Sequence, residues 1–187
     1  MKSVADLGID YDDGSFHCYD NHLTSLKGAP SHVDRSFFCH INKLTSLEGA
    51  PRHVGAHFDC GRNQLTSLEG APRHVGDDFY CYHNQLTSLQ GAPRHVGGSF
   101  YCPNNKLTSL KGVHKQIAEI QGRFACTQNP IESHVLGLLL IKGITEIHLD
   151  HKQVREILNR HLGKGRAGML QAQEELIEAG LEEFARL

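Results

Sequence analysis

The stretch FDCGRNQLTSLEGAP, residues 58–72, decides the fold, because its framework occurs five times at intervals of 21 residues. Each copy begins with a phenylalanine, which is followed two residues later by a cysteine and five residues later by an asparagine. The block Leu-Thr-Ser-Leu and a glycine complete the unit. The five phenylalanines are Phe16, Phe37, Phe58, Phe79 and Phe100. A fixed period of this length predicts units that stack and share one continuous core.

The unit matches the pattern of the leucine-rich repeat, L-x-x-L-x-L-x-x-N/C-x-L, with Phe, Cys and Asn at its fourth, sixth and ninth positions. A looser sixth copy contains Phe124, Cys126 and Asn129, and the spacing returns once more near Ile147. The units most resemble the short 21-residue repeats of bacteriophage and prophage proteins, which carry the block Leu-Thr-Ser-Leu-x-Gly-Ala-Pro. They are also similar to the short repeats of secreted bacterial effectors, but lack the second leucine-proline pair of those repeats. The resemblance to phage proteins implies a setting inside an infected bacterium and implies no mechanism.

Each unit is long enough for one strand, one turn and an irregular return. The Phe and Cys side chains lie two residues apart and therefore point to the same face of the strand, which we expect to be the core. The Asn side chain is expected to bond backbone groups at the bend after the strand, and the glycine is expected to adopt a positive φ. These features predict an α/β fold, a short leucine-rich-repeat solenoid with parallel strands and a helical C-terminal cap.

Six cysteines would suggest a disulfide framework if their spacing were ignored. All six occupy one column of the repeat, where side chains of neighbouring units run parallel, which is poor geometry for a disulfide. We therefore expect free, buried thiols. The chain has no C-x-x-C pair to supply adjacent zinc ligands, and no metal, cofactor or catalytic thiol is expected.

The chain divides into an N-terminal cap over residues 1–14, repeats over 15–131, and a residual repeat with a helical cap over 132–187. Three helices are predicted in the last part, over Ser133–Lys142, His151–Leu162 and Ala167–Ala179. Asp150 is the expected N-cap of the second. A G-x-G-x-x-G sequence at 163–168 follows a helix and not a strand, so it is read as a connector and not as a nucleotide-binding loop.

The positions around the Phe and Cys columns vary among the units of this one chain, and in a solenoid such positions form the surface that meets a partner. Aromatic residues are enriched at the centres of protein interfaces, although they also suit β geometry without any partner. We predict that the outward side chains of the sheet bind a partner. The predicted residues are His17, Tyr19, Phe38, His40, His57, Asp59, Arg62, Tyr80, Tyr82, His83 and Tyr101.

Charge favours a protein partner over nucleic acid. Lys and Arg number 19 against 21 Asp and Glu, giving a net charge of −2, and the predicted surface is mixed in sign, whereas a phosphate backbone would call for a basic stripe. The alternative is a nucleic-acid binder that uses a ridge of arginines on the return segments with a basic tip in the cap. Its residues are Arg52, Arg73, Arg94, Lys164 and Arg166.

Residues 1–12 contain three aspartates and no apolar run, so no secretory signal is expected. The longest apolar stretch, Val135–Ile141, is far shorter than a bilayer span requires. We expect a cytoplasmic, non-catalytic interaction protein that does not enter a membrane. The phage resemblance implies that it binds a bacterial host protein, such as a defence component, and inhibits or redirects it. Self-association through the helical cap stays open as an alternative.

Overall fold

The structure is a computed structural model that describes residues 2–7 and 13–187 of the chain. This part of the chain forms a parallel-strand solenoid of about six turns, followed by helices. Its strands, in chain order, are β1 (Phe16–His17), β2 (His32–Val33), β3 (Phe37–Phe38), β4 (His53–Val54), β5 (Phe58–Asp59), β6 (His74–Val75), β7 (Phe79–Tyr80), β8 (His95–Val96), β9 (Phe100–Tyr101), β10 (Glu119–Ile120), β11 (Arg123–Ala125) and β12 (Glu146–His148). The α-helices are α1 (Val113–Gln116), α2 (Lys152–His161) and α3 (Gly165–Glu178). The fold class is the one that the repeat pattern predicts.

The strands form two parallel sheets on opposite sides of one core. The seven-stranded sheet has the order β1-β3-β5-β7-β9-β11-β12, and the five-stranded sheet has the order β10-β8-β6-β4-β2. The five-stranded sheet was not predicted, because the return segments were expected to be irregular. Four of the five returns contain a His-Val pair whose valine is buried, and the fifth contains Glu119–Ile120 with the isoleucine buried. The repeat places these pairs beside one another at strand spacing.

The core consists of columns of identical side chains. The Phe rings of successive units stack with centroids 5.0 to 5.6 Å apart. Within one unit Phe58, Cys60, Leu65, Leu68 and Val75 are all completely buried. The glycine that ends the unit has a positive φ, as expected, with +90° at Gly70.

The asparagine column satisfies backbone groups of two units, as predicted. The Asn63 Oδ1 accepts a hydrogen bond from the Leu44 N–H at 3.0 Å, and its Nδ2 donates to the carbonyls of Cys39 at 3.0 Å and Cys60 at 3.1 Å. The corresponding side chains of other units make the same three bonds. The bend after each strand is therefore fixed to its neighbour by one buried amide.

All six cysteines are buried, free thiols. Burial raises the pKa of Cys18 to about 12 and also raises those of Cys39, Cys60 and Cys81 well above the usual thiol value. Because the thiolate is the reactive form, these cysteines act as small core residues.

The C-terminal cap covers the last strand of the seven-stranded sheet. The Asn159 side chain on α2 accepts from the Ile147 N–H and donates to the Ile147 carbonyl, both at 2.8 Å, so it replaces a further strand at the edge. The helix expected over Ser133–Lys142 is a 3₁₀ helix limited to Leu136–Leu140. α3 packs against this 3₁₀ helix and against α2.

One predicted helix cap was wrong. The N-cap of α2 is His151, whose Nδ1 accepts from the Val154 N–H at 3.3 Å. The Asp150 carboxylate is occupied elsewhere, accepting from the Gln128 N–H at 2.6 Å. The carboxylate thus closes the last bend of the solenoid instead of starting the helix.

The predicted N-terminal cap is described only in part. A short 3₁₀ helix, Val4–Asp6, buries Val4 against the first turn, and its Ala5 N–H donates to the Lys27 carbonyl at 3.1 Å. Met1 and residues 8–12, which the same prediction includes, lie outside the described residues. Among the helices of the described chain, none combines the length and the apolar character that a bilayer crossing would need.

Candidate functional site

The register of the seven-stranded sheet places the outward side chains in rows that run across the strands. Phe38 pairs with His17 and Asp59, and Tyr80 pairs with Asp59 and Tyr101. The row between Phe and Cys, which we call the central row, is His17, Phe38, Asp59, Tyr80, Tyr101, Ala125 and His148. The row after Cys, the outer row, contains Tyr19, His40, Gly61, Tyr82 and Pro103. We call the whole outward surface the sheet face.

The predicted aromatic side chains lie on the sheet face in two groups, one on each side of Asp59, and within each group they are packed against one another. Tyr80 and Tyr101 stack with centroids 5.0 Å apart and rings 5° from parallel. Phe38 stacks on His17 at 5.1 Å. Phe38, Tyr80 and Tyr101 are consequently half-buried, whereas Tyr19 is 45% exposed. The ring faces within each of these stacks are therefore covered.

The Tyr80 hydroxyl is held by a carboxylate. It donates to the Asp78 Oδ2 at 2.7 Å, and the Ser99 N–H donates to the Asp78 Oδ1 at 2.7 Å. Burial and the hydrogen bond to Asp78 raise the pKa of Tyr80 above its usual value. Tyr80 therefore remains a protonated donor of fixed orientation.

Tyr82 crosses from its own unit to the preceding one. Its ring lies over Gly61, where an added Cβ would come within 2.5 Å of the ring carbons. Its hydroxyl is 3.5 Å from the Asp59 Oδ2. The missing side chain at Gly61 thus allows Tyr82 to reach the middle of the sheet face.

Asp59 lies among these aromatic side chains and its side chain is 13% exposed. The Asp59 Oδ1 accepts from the Gly61 N–H at 2.8 Å. Among the described residues, the Oδ2 has only long contacts, at 3.5 Å to the Tyr82 hydroxyl and 3.5 Å to the His40 Nδ1, and that His40 nitrogen has no hydrogen-bond partner there. Burial raises the pKa of Asp59. The carboxylate is therefore desolvated and incompletely satisfied.

A group of metal-ligating side chains lies beside the central row. One ligand atom each from His57, Asp77 and Asp78 lies within 4.8 Å of the others. The two imidazole nitrogens face the two carboxylates separately, with Nε2 at 3.5 Å from Asp77 and Nδ1 at 3.7 Å from Asp78. The group can hold a divalent ion or act as an internal ion pair. The consecutive Asp77 and Asp78 were the sequence signal for it, and only His57 was among the predicted site residues.

A bend follows each strand of the sheet face and includes two predicted residues, Arg62 and His83. The residue before the column asparagine has a left-handed backbone there, with φ of +53° at Arg62 and +50° at His83. Sequence reasoning missed Ile41, which occupies the same position with φ +55° and is 42% exposed. A left-handed β-branched residue is strained. The sequence could have indicated Ile41, because it is an apolar residue at a position that is polar in the other units.

The ridge of the alternative function lies beside the five-stranded sheet. Arg52 and Arg73 are exposed there, but Glu48 and Glu69 line the same groove. The arginines therefore do not form a continuous cationic stripe. Lys164 and Arg166 are exposed at the start of α3.

The histidines next to this ridge form a stack. The imidazoles of His32 and His53, and of His53 and His74, have centroids 4.8 Å apart. Burial first, and then the charges of His74 and His32, lower the pKa of His53 from its ordinary 6.5.

This stack predicts a pH-dependent stability. Because the pKa of His53 is lower in the folded state, the unfolded chain binds more protons as the pH falls below 6.5. Neutral His53 therefore makes its full contribution to the free energy of unfolding above pH 6.5, and this contribution is lost as the pH falls through the pKa of His53 in the folded state. Between about pH 7.5 and about pH 5.5, the melting temperature of the wild type should fall further than that of His53→Gln. Equal decreases in differential scanning calorimetry would contradict this assignment.

The fold and the sheet face together define the class as a repeat solenoid built from 21-residue units, with parallel strands and an outward face whose side chains differ from unit to unit. A comparison with protein-family models finds no family that matches the chain, and comparisons with curated proteins and with solved structures find no match.

Proposed function

We propose that the chain is a non-catalytic module that binds a protein partner through the sheet face. The observation that carries this proposal is the contrast between constant core columns and varied outward rows, with tyrosine edges at the centre of the variation. A solenoid keeps its core for stability and diversifies the surface that meets a partner. Tyrosines with fixed hydroxyls are typical anchors of protein interfaces.

The stacking of the tyrosines favours a protein over a base or a sugar. Single-stranded nucleic acids and their bases bind by stacking on free aromatic faces, but Tyr80 and Tyr101 cover one face of each other. The edges, the hydroxyls and the Tyr80 face on the side of Asp59 remain, and these suit the mixed polar and apolar contacts of a protein interface. The carboxylates of Glu48 and Glu69 beside Arg52 and Arg73 count against the nucleic-acid alternative.

The setting of the interaction rests on the resemblance of the repeats to those of bacteriophage proteins. It supports a phage-encoded protein in the host cytoplasm that inhibits or redirects a bacterial protein, for example a component of defence. This purpose is separate from the binding surface and is tested by the identity of the partner.

Changing Tyr80 and Tyr101 together to alanine is expected to weaken partner binding by at least about 30-fold, since even a single interface anchor contributes about 2 kcal/mol or more. The stack is also lost, at a cost of about 1 kcal/mol in the free energy of unfolding. The measurement is the Kd for a partner captured from bacterial lysate and identified by mass spectrometry.

A matched control is the double variant Arg73→Ala and Arg94→Ala on the opposite side of the solenoid. It should bind the same partner with unchanged Kd. Full binding by the tyrosine variant, or loss of binding by the arginine variant, would move the site away from the sheet face.

A further inference from the structure

The central row is interrupted by a short, acidic residue between two aromatic ones. Asp59 pairs directly with Phe38 on one side and with Tyr80 on the other. Since neighbouring strands are about 4.8 Å apart, the two backbone positions that carry these rings are about 9.6 Å apart across Asp59. We call this interval the Asp59 notch.

The width of the Asp59 notch fits one flat group. Stacked rings in this row have centroids 5.0 to 5.1 Å apart, so a planar group midway between the rings of Phe38 and Tyr80, about 4.8 Å from each, has the spacing of a further member of the stack. Elsewhere in the central row the neighbouring rings already stack, as His17 does on Phe38 and Tyr101 does on Tyr80. A planar side chain from a partner would continue both stacks.

The charge of the Asp59 notch is negative. The floor is the desolvated Asp59 carboxylate, and in the part of the chain that the structure describes no donor lies closer than 3.5 Å to its Oδ2. Asp77 and Asp78 follow on the next unit. Within the described residues, the ion pairs of these three carboxylates are with His40 and His57, which are charged only when protonated. A buried acceptor without a good donor is costly, and a cationic donor would remove that cost.

We propose that the Asp59 notch receives an arginine side chain of the protein partner, an inference that rests on the proposed function. The guanidinium is flat, is more weakly hydrated than an ammonium group and stacks on aromatic rings, and its N–H groups can bond a carboxylate. It would lie between Phe38 and Tyr80 and donate to the Asp59 Oδ2. A lysine would provide the charge without the planar contact.

The test is an NMR titration of the full chain with the peptide acetyl-Gly-Arg-Gly-amide, with Lys and Gln peptides of the same length alongside. The expected result is a shift of the Gly61 and Tyr80 backbone amides with the arginine peptide, weaker shifts with lysine and none with glutamine. Asp59→Asn should weaken the arginine peptide at least about ten-fold, because charge-assisted bonds are about twice as strong as neutral ones. Asn keeps an acceptor for the Gly61 N–H, so the fold is retained.

Two further variants complete the test. Phe38→Leu removes one ring and should weaken the arginine peptide more than the lysine peptide. Asp34→Asn, on an exposed carboxylate paired with His32, should change nothing. Equal shifts with the glutamine peptide, or an unaltered affinity of Asp59→Asn, would overturn the proposal.

Two other outcomes distinguish the arginine site from a metal site and from the proposed function as a whole. Shifts that EDTA abolishes would place a divalent ion at His57, Asp77 and Asp78 and would overturn the arginine assignment. If the partner is lost by the Tyr80 and Tyr101 double variant but retained in full by Asp59→Asn, the proposed function stands and the Asp59 notch is not its arginine site.

Discussion

Replacing Asn63 by alanine is expected to lower the free energy of unfolding by about 3 kcal/mol, because its three shortest buried hydrogen bonds, of about 1 kcal/mol each, are lost. The Leu44 N–H loses the acceptor that it has in the Asn63 Oδ1. The carbonyls of Cys39 and Cys60 each lose one of two amide donors and keep the other. The loss is measured by chemical denaturation at equilibrium.

Asn21 provides a matched control, since it is the same residue at the first unit of the column. Its Nδ2 donates to the Tyr19 carbonyl at 2.8 Å in an exposed setting. Asn21→Ala should therefore cost less than about 1 kcal/mol. If both variants lost the same stability, the asparagines would act through the preference of their own turn for asparagine. Their hydrogen bonds to the neighbouring unit would then not be the cause.

Replacing Gly76 by alanine is expected to cost more than about 3 kcal/mol or to prevent folding, which is at the upper end of overpacking penalties. An added Cβ would lie 2.0 Å from the Gly55 carbonyl oxygen of the preceding unit. The Cβ is fixed to the Gly76 backbone and the oxygen belongs to the Gly55 backbone, so no side-chain rotation can relieve the clash. The stacking distance of the units themselves would have to increase.

Gly163→Ala is the control for the Gly76 variant. Gly163 has a φ of +74°, but an added Cβ there would meet no atom within 4 Å. It should lose only the conformational cost of about 1 to 2 kcal/mol. Thermal unfolding and soluble yield measure both variants, and a Gly76→Ala protein as stable as Gly163→Ala would contradict the close approach of the units.

The repeat made several features of the core predictable. A side chain that recurs every 21 residues meets its own copy in the next unit, so the environment of Phe58, Cys60 or Asn63 follows from one unit alone. Backbone satisfaction by the asparagine followed from the need to pair buried polar groups at a bend. The fold class and the burial of the thiols were accessible for the same reason.

Predictions from local sequence were less successful where a contact with a distant part of the chain determines the structure. Asp150 is a good N-cap by residue type, yet the Gln128 N–H takes its carboxylate and His151 caps α2. The two-residue strands of the returns are too short to show an alternating pattern. The requirement for glycine at Gly76 depends on a carbonyl that lies 21 residues earlier in the chain.

The amino-acid sequence by itself determined the period, the inward columns and the rows that face solvent, because side-chain alternation and stacking act identically in every unit. The tertiary structure alone decided how the outward side chains combine. Tyr82 lies over Gly61, Tyr80 stacks on Tyr101, and Asp59 is left desolvated between aromatic rings. These contacts join residues of different units at positions where the units differ, so the environment of each depends on its particular neighbours and not on the repeat.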